Sequence, residues 1–286
     1  MSNGISLHRR LQGIGADANA RSVGVAFFDY EHQAGGGYQA DRWFHAASTI
    51  KVPVLLGVFH AIEKGRLHPQ SRVHIRNRFL SVADGAPFRV EASRDANAEV
   101  QGAIGRLMQV RELARHMIVT SSNLATNVLV DLIGLENIQG TLERFGIDGV
   151  ELRRGVEDMA AHERGINNRV TAAGLLRTLR VLQDREQFSE ELNAEMLDIL
   201  HAQEFRSGIP AGLPDGARVA NKTGEISTVA HDAGIVSLPD RAPYVVAILT
   251  EWDQDVSGRR ETIAALSRAV YEYVTDGESA GAEAER

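Results

Sequence analysis

Cysteine is absent from the 286 residues, which excludes disulfides, thiolate zinc sites and cysteine nucleophiles together and leaves the redox compartment open. No stretch reaches the roughly 18 consecutive apolar residues that a membrane span needs, so no membrane-embedded part is expected. Positive charge is the minority sign. With 31 basic and 38 acidic residues the net charge is −7, the wrong sign for a nucleic-acid binder held by phosphate contacts. Within the basic set lysine is nearly missing, since only Lys51, Lys64 and Lys222 occur. Arginine stays protonated in a protein whereas a desolvated lysine can lose its proton, so positions that keep lysine in an arginine-rich chain deserve inspection. Lys64 sits in a helix-ending Glu63-Lys64-Gly65 and asks for no further role.

What is present fits a globular chain: 43% hydrophobic and 24% charged residues, with enough length for one large domain or two sharing a core. Leu7, Leu11 and Ile14 share a helical face, and Val23, Val25 and Phe27 then alternate as in a strand. Gly35-Gly36-Gly37 reads as a hairpin turn into a second strand ending near Phe44. Residues 48–205 are mostly helical in pattern. Strand character returns at 218–223, 233–238 and 244–252, and Ile263, Leu266, Val270 and Val274 make a closing amphipathic helix. The expected fold class is α/β (α+β): an antiparallel sheet built from both termini, flanked by helices, with a helical subdomain inserted. The expected division is 1–47 with 206–275 for the sheet-containing part, 48–205 for the helical part, and a disordered tail at 276–286.

Three short segments carry chemistry. Ala46-Ala47-Ser48-Thr49-Ile50-Lys51 opens a helix whose buried face continues through Leu55, Val58 and Ile62, with Pro53 in a tolerated first-turn position. The i, i+3 spacing puts Ser48 and Lys51 on one face, beside free backbone N–H groups at a helix start. A buried, partly neutral lysine there can take the serine proton. Alone, the pattern describes an N-cap serine and a solvated lysine. The second segment, Thr120-Ser121-Ser122-Asn123-Leu124-Ala125-Thr126-Asn127, lies between two amphipathic helices and offers the Ser121 hydroxyl and the Asn123 amide. The third, Lys222-Thr223-Gly224, ends an expected strand and combines a cation, a hydroxyl and a close-approach glycine, as a carboxylate-binding edge would.

In this order the three segments resemble the Ser-x-x-Lys, Ser-x-Asn and Lys-Thr-Gly motifs of the penicillin-recognising serine hydrolases, specifically the class A β-lactamases. The resemblance implies a β-lactamase/transpeptidase-like fold, with Ser48 as the acylated nucleophile and Lys51 as its base or activator. Ser121 would relay a proton to the leaving nitrogen, Asn123 would hold the substrate amide, and Lys222 with Thr223 and Gly224 would bind the substrate carboxylate. The backbone N–H groups of Ser48 and Glu225 would form the oxyanion hole. The substrate class is a β-lactam or an acyl-D-Ala-type compound, without cofactor or metal.

The match departs from the family pattern in two places. The middle of the second motif is Ser122 where the family has aspartate. The loop 152–160 has no glutamate in register for activating the deacylating water: alignment from Arg154 puts Val156 there, and alignment back from Asn168 puts Gly155 there. Glu157, one or two residues away, is the expected substitute and Asp158 a weaker one. Without a placed carboxylate the acyl-enzyme hydrolyses slowly. The alternatives are then a D-Ala-D-Ala peptidase (a penicillin-binding protein) or esterase of the same fold, or a non-catalytic covalent sensor. Residues 79–105 read as an insertion, a surface excursion more than a cleft wall. His231 would place a cation near the carboxylate pocket or simply lie on the surface. His162-Glu163 lacks a second histidine at metal-binding spacing, and Gly13-Ile14-Gly15 precedes its strand instead of following one, so neither is assigned a site. A monomer is expected. The location expected from residues 1–11 is cytosolic, or periplasmic or secreted where a leader has been removed.

Overall fold

The computed structural model describes residues 3–276 apart from 69 and 255. Five strands form one antiparallel sheet: β1 (Ser22–Asp29), β2 (Ala34–Tyr38), β3 (Arg218–Ile226), β4 (Val229–Ser237) and β5 (Tyr244–Glu251), in the order β3-β4-β5-β1-β2. The two ends of the chain thus meet along the β5–β1 pairing, where Ser22 faces Glu251 and Asp29 faces Tyr244. Both faces of the sheet are buried, and period-two alternation divides them. Tyr244, Val246 and Ile248 point with Val23, Val25 and Phe27 at helices α1 (Asn3–Asp17) and α8 (Arg259–Thr275). Val245, Ala247 and Leu249 point at the remaining helices. Leu7 and Leu11 on α1, and Ile263, Leu266, Val270 and Val274 on α8, supply the apolar stripes expected from their spacing.

Between β2 and β3 run α2 (Lys51–Glu63), α3 (Val110–Val119), α4 (Asn123–Ile133), α5 (Leu135–Arg144), α6 (Ala172–Asp184) and α7 (Glu190–His201). Their core is continuous with the inner face of the sheet. We therefore propose that 48–205 is a helical lobe sharing one core with the sheet-bearing lobe. The expected tail lies, beyond Asp276, outside the described residues. Among the described residues no helix is long and apolar enough to cross a membrane.

Three local expectations change. The hairpin turn lies before Gly35-Gly36-Gly37, which are inside β2. The glycines serve close approach: a Cβ on Gly36 would sit 2.9 Å from the Phe27 ring, and one on Gly37 2.7 Å from the Val25 carbonyl oxygen. Phe44–His45 leave the main sheet for a small one with Arg169–Val170 and Val150–Glu151. Helix α2 is buried on every side from Lys51 to Ile62 rather than along one stripe, because the helices α3 to α7 close around it. A Cβ on Gly57 would lie 2.8 Å from Ile138 of α5. That burial takes Lys51 wholly out of water.

Candidate active site

Ser48 lies in a 3-10 turn, Ala47–Ile50, that runs directly into α2. This turn abuts the edge strand β3. A Cβ on Gly224 would be 3.0 Å from Ser48 N and 2.9 Å from Thr49 N, so only glycine lets the strand come so near. Lys222-Thr223-Gly224 therefore occupies the middle of β3, which continues to Ile226, and not its end. An edge strand keeps one row of backbone groups unpaired, and here that row borders Ser48.

The Lys51 side-chain nitrogen is the hub. Nζ lies 3.0 Å from Ser48 Oγ, 2.7 Å from the Ser121 carbonyl oxygen, 3.0 Å from Ser121 Oγ and 2.8 Å from Asn123 Oδ1. The two short contacts go to oxygens that can only accept. A neutral amine has two hydrogens to spend on them, which leaves its lone pair for a serine hydroxyl. Burial drives the Lys51 pKa well below its ordinary value, the Lys222 charge adds to this, and Asp95 and Glu157 oppose it. Lys222 is also fully buried. Its Nζ donates to Ser121 Oγ at 3.0 Å and to the Thr223 carbonyl at 2.9 Å. Burial pushes it down to about 7, against the pull of Asp232. The Ser121 hydroxyl thus bridges two lysines, both displaced toward neutrality.

Strained backbone occurs at the same place. Ala47, Ser121 and Glu157 have φ of 45°, 61° and 64°, the left-handed region that non-glycine residues enter at a cost and that clusters at functional sites.

The loop between α5 and α6 is held by asparagines. Asn168 Oδ1 accepts from the N–H groups of Arg153 and Arg154. Asn127 of α4 grips Val156 twice, accepting from its N–H and donating to its carbonyl, both at 2.8 Å. Val156 is thereby fastened to the helix that carries Asn123. The next residue, Glu157, enters the cleft. Its carboxylate lies 3.4 Å from Asn123 Nδ2 and pairs with Arg94 Nε at 3.0 Å. Asp158 does not reach the cleft: it accepts from Ala161 N as a helix cap and from Val82 N.

All ten residues singled out from the sequence border one cleft or, like Lys51 and Lys222, touch its hydroxyls directly. His231 is the exception in character. It is buried, its Nε2 lies 2.9 Å from the His45 carbonyl oxygen, and burial pushes it down to about 4. It is neutral, not a cation for a carboxylate, and braces the segment leading to Ser48. Glu225 has its side chain paired with Arg259 and Arg260.

The sequence reading passed over Arg94 and Asp95. Both come from the excursion at 79–105, which is a wall of the cleft after all, with Arg94 and Ala96 facing Ser48 across it. The signal available was the aspartate missing at Ser122.

The chain matches the family model "Beta-lactamase enzyme family" over residues 6–274. A β-lactamase of Bacteroides uniformis is 29% identical over 247 residues, 80% of this chain and 78% of that protein. PBP-A is similar in structure, with a TM-score of 0.80 and 26% identity over 93% of this chain and 95% of that one. A leucine-to-glutamate variant of PBP-A, solved as an acyl-enzyme complex with penicillin G, has a TM-score of 0.79 at 26% identity over 94% and 96%. A variant of the class A β-lactamase of the last common ancestor of Gram-negative bacteria has a TM-score of 0.80 at 25% identity over 93% and 98%. Taken with the lysine–serine hub, these matches show that the chain belongs to the β-lactamase enzyme family.

Proposed function

We propose that this protein is a serine hydrolase that opens β-lactams by acylation of Ser48 and releases the product by hydrolysis assisted by Glu157. The observation that carries the reading is the placement of Lys51 Nζ, 3.0 Å from Ser48 Oγ with two acceptor-only oxygens at 2.7 and 2.8 Å, on which a neutral amine spends its hydrogens so that its lone pair is left for the Ser48 hydroxyl. Lys51 removes the Ser48 proton as Oγ bonds to the lactam carbonyl carbon. The Ser48 and Glu225 N–H groups receive the oxyanion. As the C–N bond breaks, Ser121 gives its proton to the departing nitrogen and recovers one from Lys51, whose protonated form the Lys222 charge disfavours. Lys222 with Thr223 binds the substrate carboxylate, and Asn123 the side-chain amide. For that last contact the substrate displaces Glu157 from Asn123 Nδ2, which frees the carboxylate to accept a proton from water.

Electrospray mass spectrometry after mixing with benzylpenicillin tests this reading. A transient adduct is expected, abolished by Ser48→Ala and made long-lived by Glu157→Gln. An adduct on the Ser48→Ala protein, or none on the wild type, refutes acylation at Ser48. Normal deacylation by Glu157→Gln refutes the role of the glutamate.

A second reading is favoured by the Arg94–Glu157 ion pair and by Val156 holding the position gripped by Asn127. If Arg94 retains the carboxylate, the acyl-enzyme is slow to hydrolyse and the enzyme is a D-Ala-D-Ala peptidase or esterase. A lasting penicillin adduct with brisk cleavage of a D-Ala-D-Ala peptide selects it.

A further inference from the structure

The aspartate missing from the second motif has a counterpart elsewhere in the chain. Asp95 lies 27 residues upstream of Ser122, in the excursion at 79–105, yet its carboxylate sits on the N-terminus of α4. Oδ1 accepts from Asn123 N at 3.1 Å, and Oδ2 accepts from Leu124 N at 3.0 Å and from Ser122 Oγ at 3.2 Å. Asn97 N and the Gln101 side chain complete its shell at 3.3 and 3.1 Å. Ser122 meanwhile caps α4 by accepting from Ala125 N at 3.1 Å. Asn97 ties the excursion to the preceding turn by donating to Thr120 Oγ1 at 2.8 Å.

We propose that Asp95 is a positioning residue for the lysine–serine hub, supplying from a distant loop the carboxylate that Ser122 lacks. It fixes the backbone of Asn123, whose side-chain oxygen receives Lys51 Nζ at 2.8 Å. It also places a negative charge at the start of α4, where the free N–H groups and helix dipole favour one. The charged groups that act on Lys51 are Lys222 on β3, Asp95 on the excursion and Glu157 on the loop before α6. Asp95 therefore offsets part of the field of Lys222. This inference rests on the acylation reading for its rate consequences, but not for its electrostatic ones.

With only three lysines in the chain, lysine labelled with carbon-13 at the ε position gives three resonances, and Lys51 is assigned by its loss in Lys51→Arg. Removing the Asp95 charge in Asp95→Asn is expected to move the Lys51 titration, and the acid limb of the acylation rate, to lower pH. Asp95→Ala, which also removes the acceptor oxygens, is expected to slow acylation about 10- to 100-fold, the loss typical of hydrogen bonds to a charged group. Asp95→Ala combined with Ser122→Asp returns a carboxylate to the same helix start and is expected to restore both the titration and the rate. Melting temperatures separate misfolding from misplacement, and if the double variant does not fold the Asp95→Asn titration decides alone. A Lys51 titration unchanged in Asp95→Asn overturns the proposal, as does a folded double variant that restores nothing. A wild type that benzylpenicillin never acylates refutes the functional reading and leaves the titration as the test of Asp95.

Discussion

Replacing Gly224 by alanine probes the contact between β3 and the turn that carries Ser48. The added methyl would lie 2.9 Å from Thr49 N, 3.0 Å from Ser48 N and 3.0 Å from Thr49 Cγ2. Ordinary contact for such a carbon starts near 3.4 Å, so the strand or the turn must give by about 0.5 Å. Two of the three obstructing atoms are backbone and cannot swing aside. Gly224 is not in the left-handed region, as its absence from the positive-φ glycines shows, so alanine meets no torsional obstacle and the whole cost is steric. Overpacking of this kind destabilises by about 1–3 kcal/mol, roughly 2–6 °C in melting temperature for a chain of this size. The larger effect falls on chemistry. Half an ångström of displacement between the two N–H groups proposed to receive the oxyanion, those of Ser48 and Glu225, is expected to lower the acylation rate by about 10- to 100-fold. Stopped-flow acylation by nitrocefin and calorimetric melting measure the two effects separately. An alanine variant that acylates and melts like the wild type would refute the packing of β3 on the Ser48 turn, and with it the assignment of the Ser48 and Glu225 N–H groups.

Two further outcomes follow from the same geometry. Burial holds Lys222 at about 7 against an ordinary 10.5, so between those values the unfolded chain binds the extra proton and stability rises with pH. Relative to Lys222→Met, the wild type should gain stability from about pH 7 to 10.5, at a slope of at most about 1.4 kcal/mol per pH unit, with no change below 7. Thermal melts of both proteins across that range check the sign, and a difference that is flat above pH 7 contradicts a buried, easily neutralised Lys222. Val156→Glu places a carboxylate at the residue gripped by Asn127, and should shorten the penicillin adduct lifetime by about 100-fold if that position faces the deacylating water. An unchanged lifetime by mass spectrometry would show that it does not.

The sheet and the hub were legible in the sequence because each rests on local rules. The unbroken apolar run of Tyr244–Glu251 states a strand buried on both faces, the stripe on α8 states which side of that helix is buried, and the Ser48–Lys51 spacing states that both share a helical face. The retained lysines were a sound signal for a physical reason: Lys51 and Lys222 both sit fully buried with their pKa pushed down by desolvation, a displacement arginine cannot follow. The glycines of β2 misled, since a run of three is usual in turns and here answers to the rings and carbonyls of β1, a relation across strands. His231 misled for the same reason. Nothing near it in sequence shows that the His45 carbonyl will be its partner.

The acidic residues in and beside the candidate site were the least legible, and the cause is topological. Asp95, Glu157 and Asp158 all stand in irregular segments, where no periodicity fixes which way a side chain points. Glu157 faces the cleft only because Asn127 seizes the residue before it and the backbone at Glu157 turns left-handed, while Asp158 faces away to cap a short helix. Asp95 reaches α4 across 27 residues. A motif written as three consecutive letters demands its carboxylate at the middle letter, whereas the chemistry demands only a negative charge within hydrogen-bonding distance of the first N–H groups of α4. The fold meets that demand from a loop. Departures from a motif therefore identify which function must be supplied from elsewhere, and the search for the substitute belongs among the acidic residues of the loops packed against it.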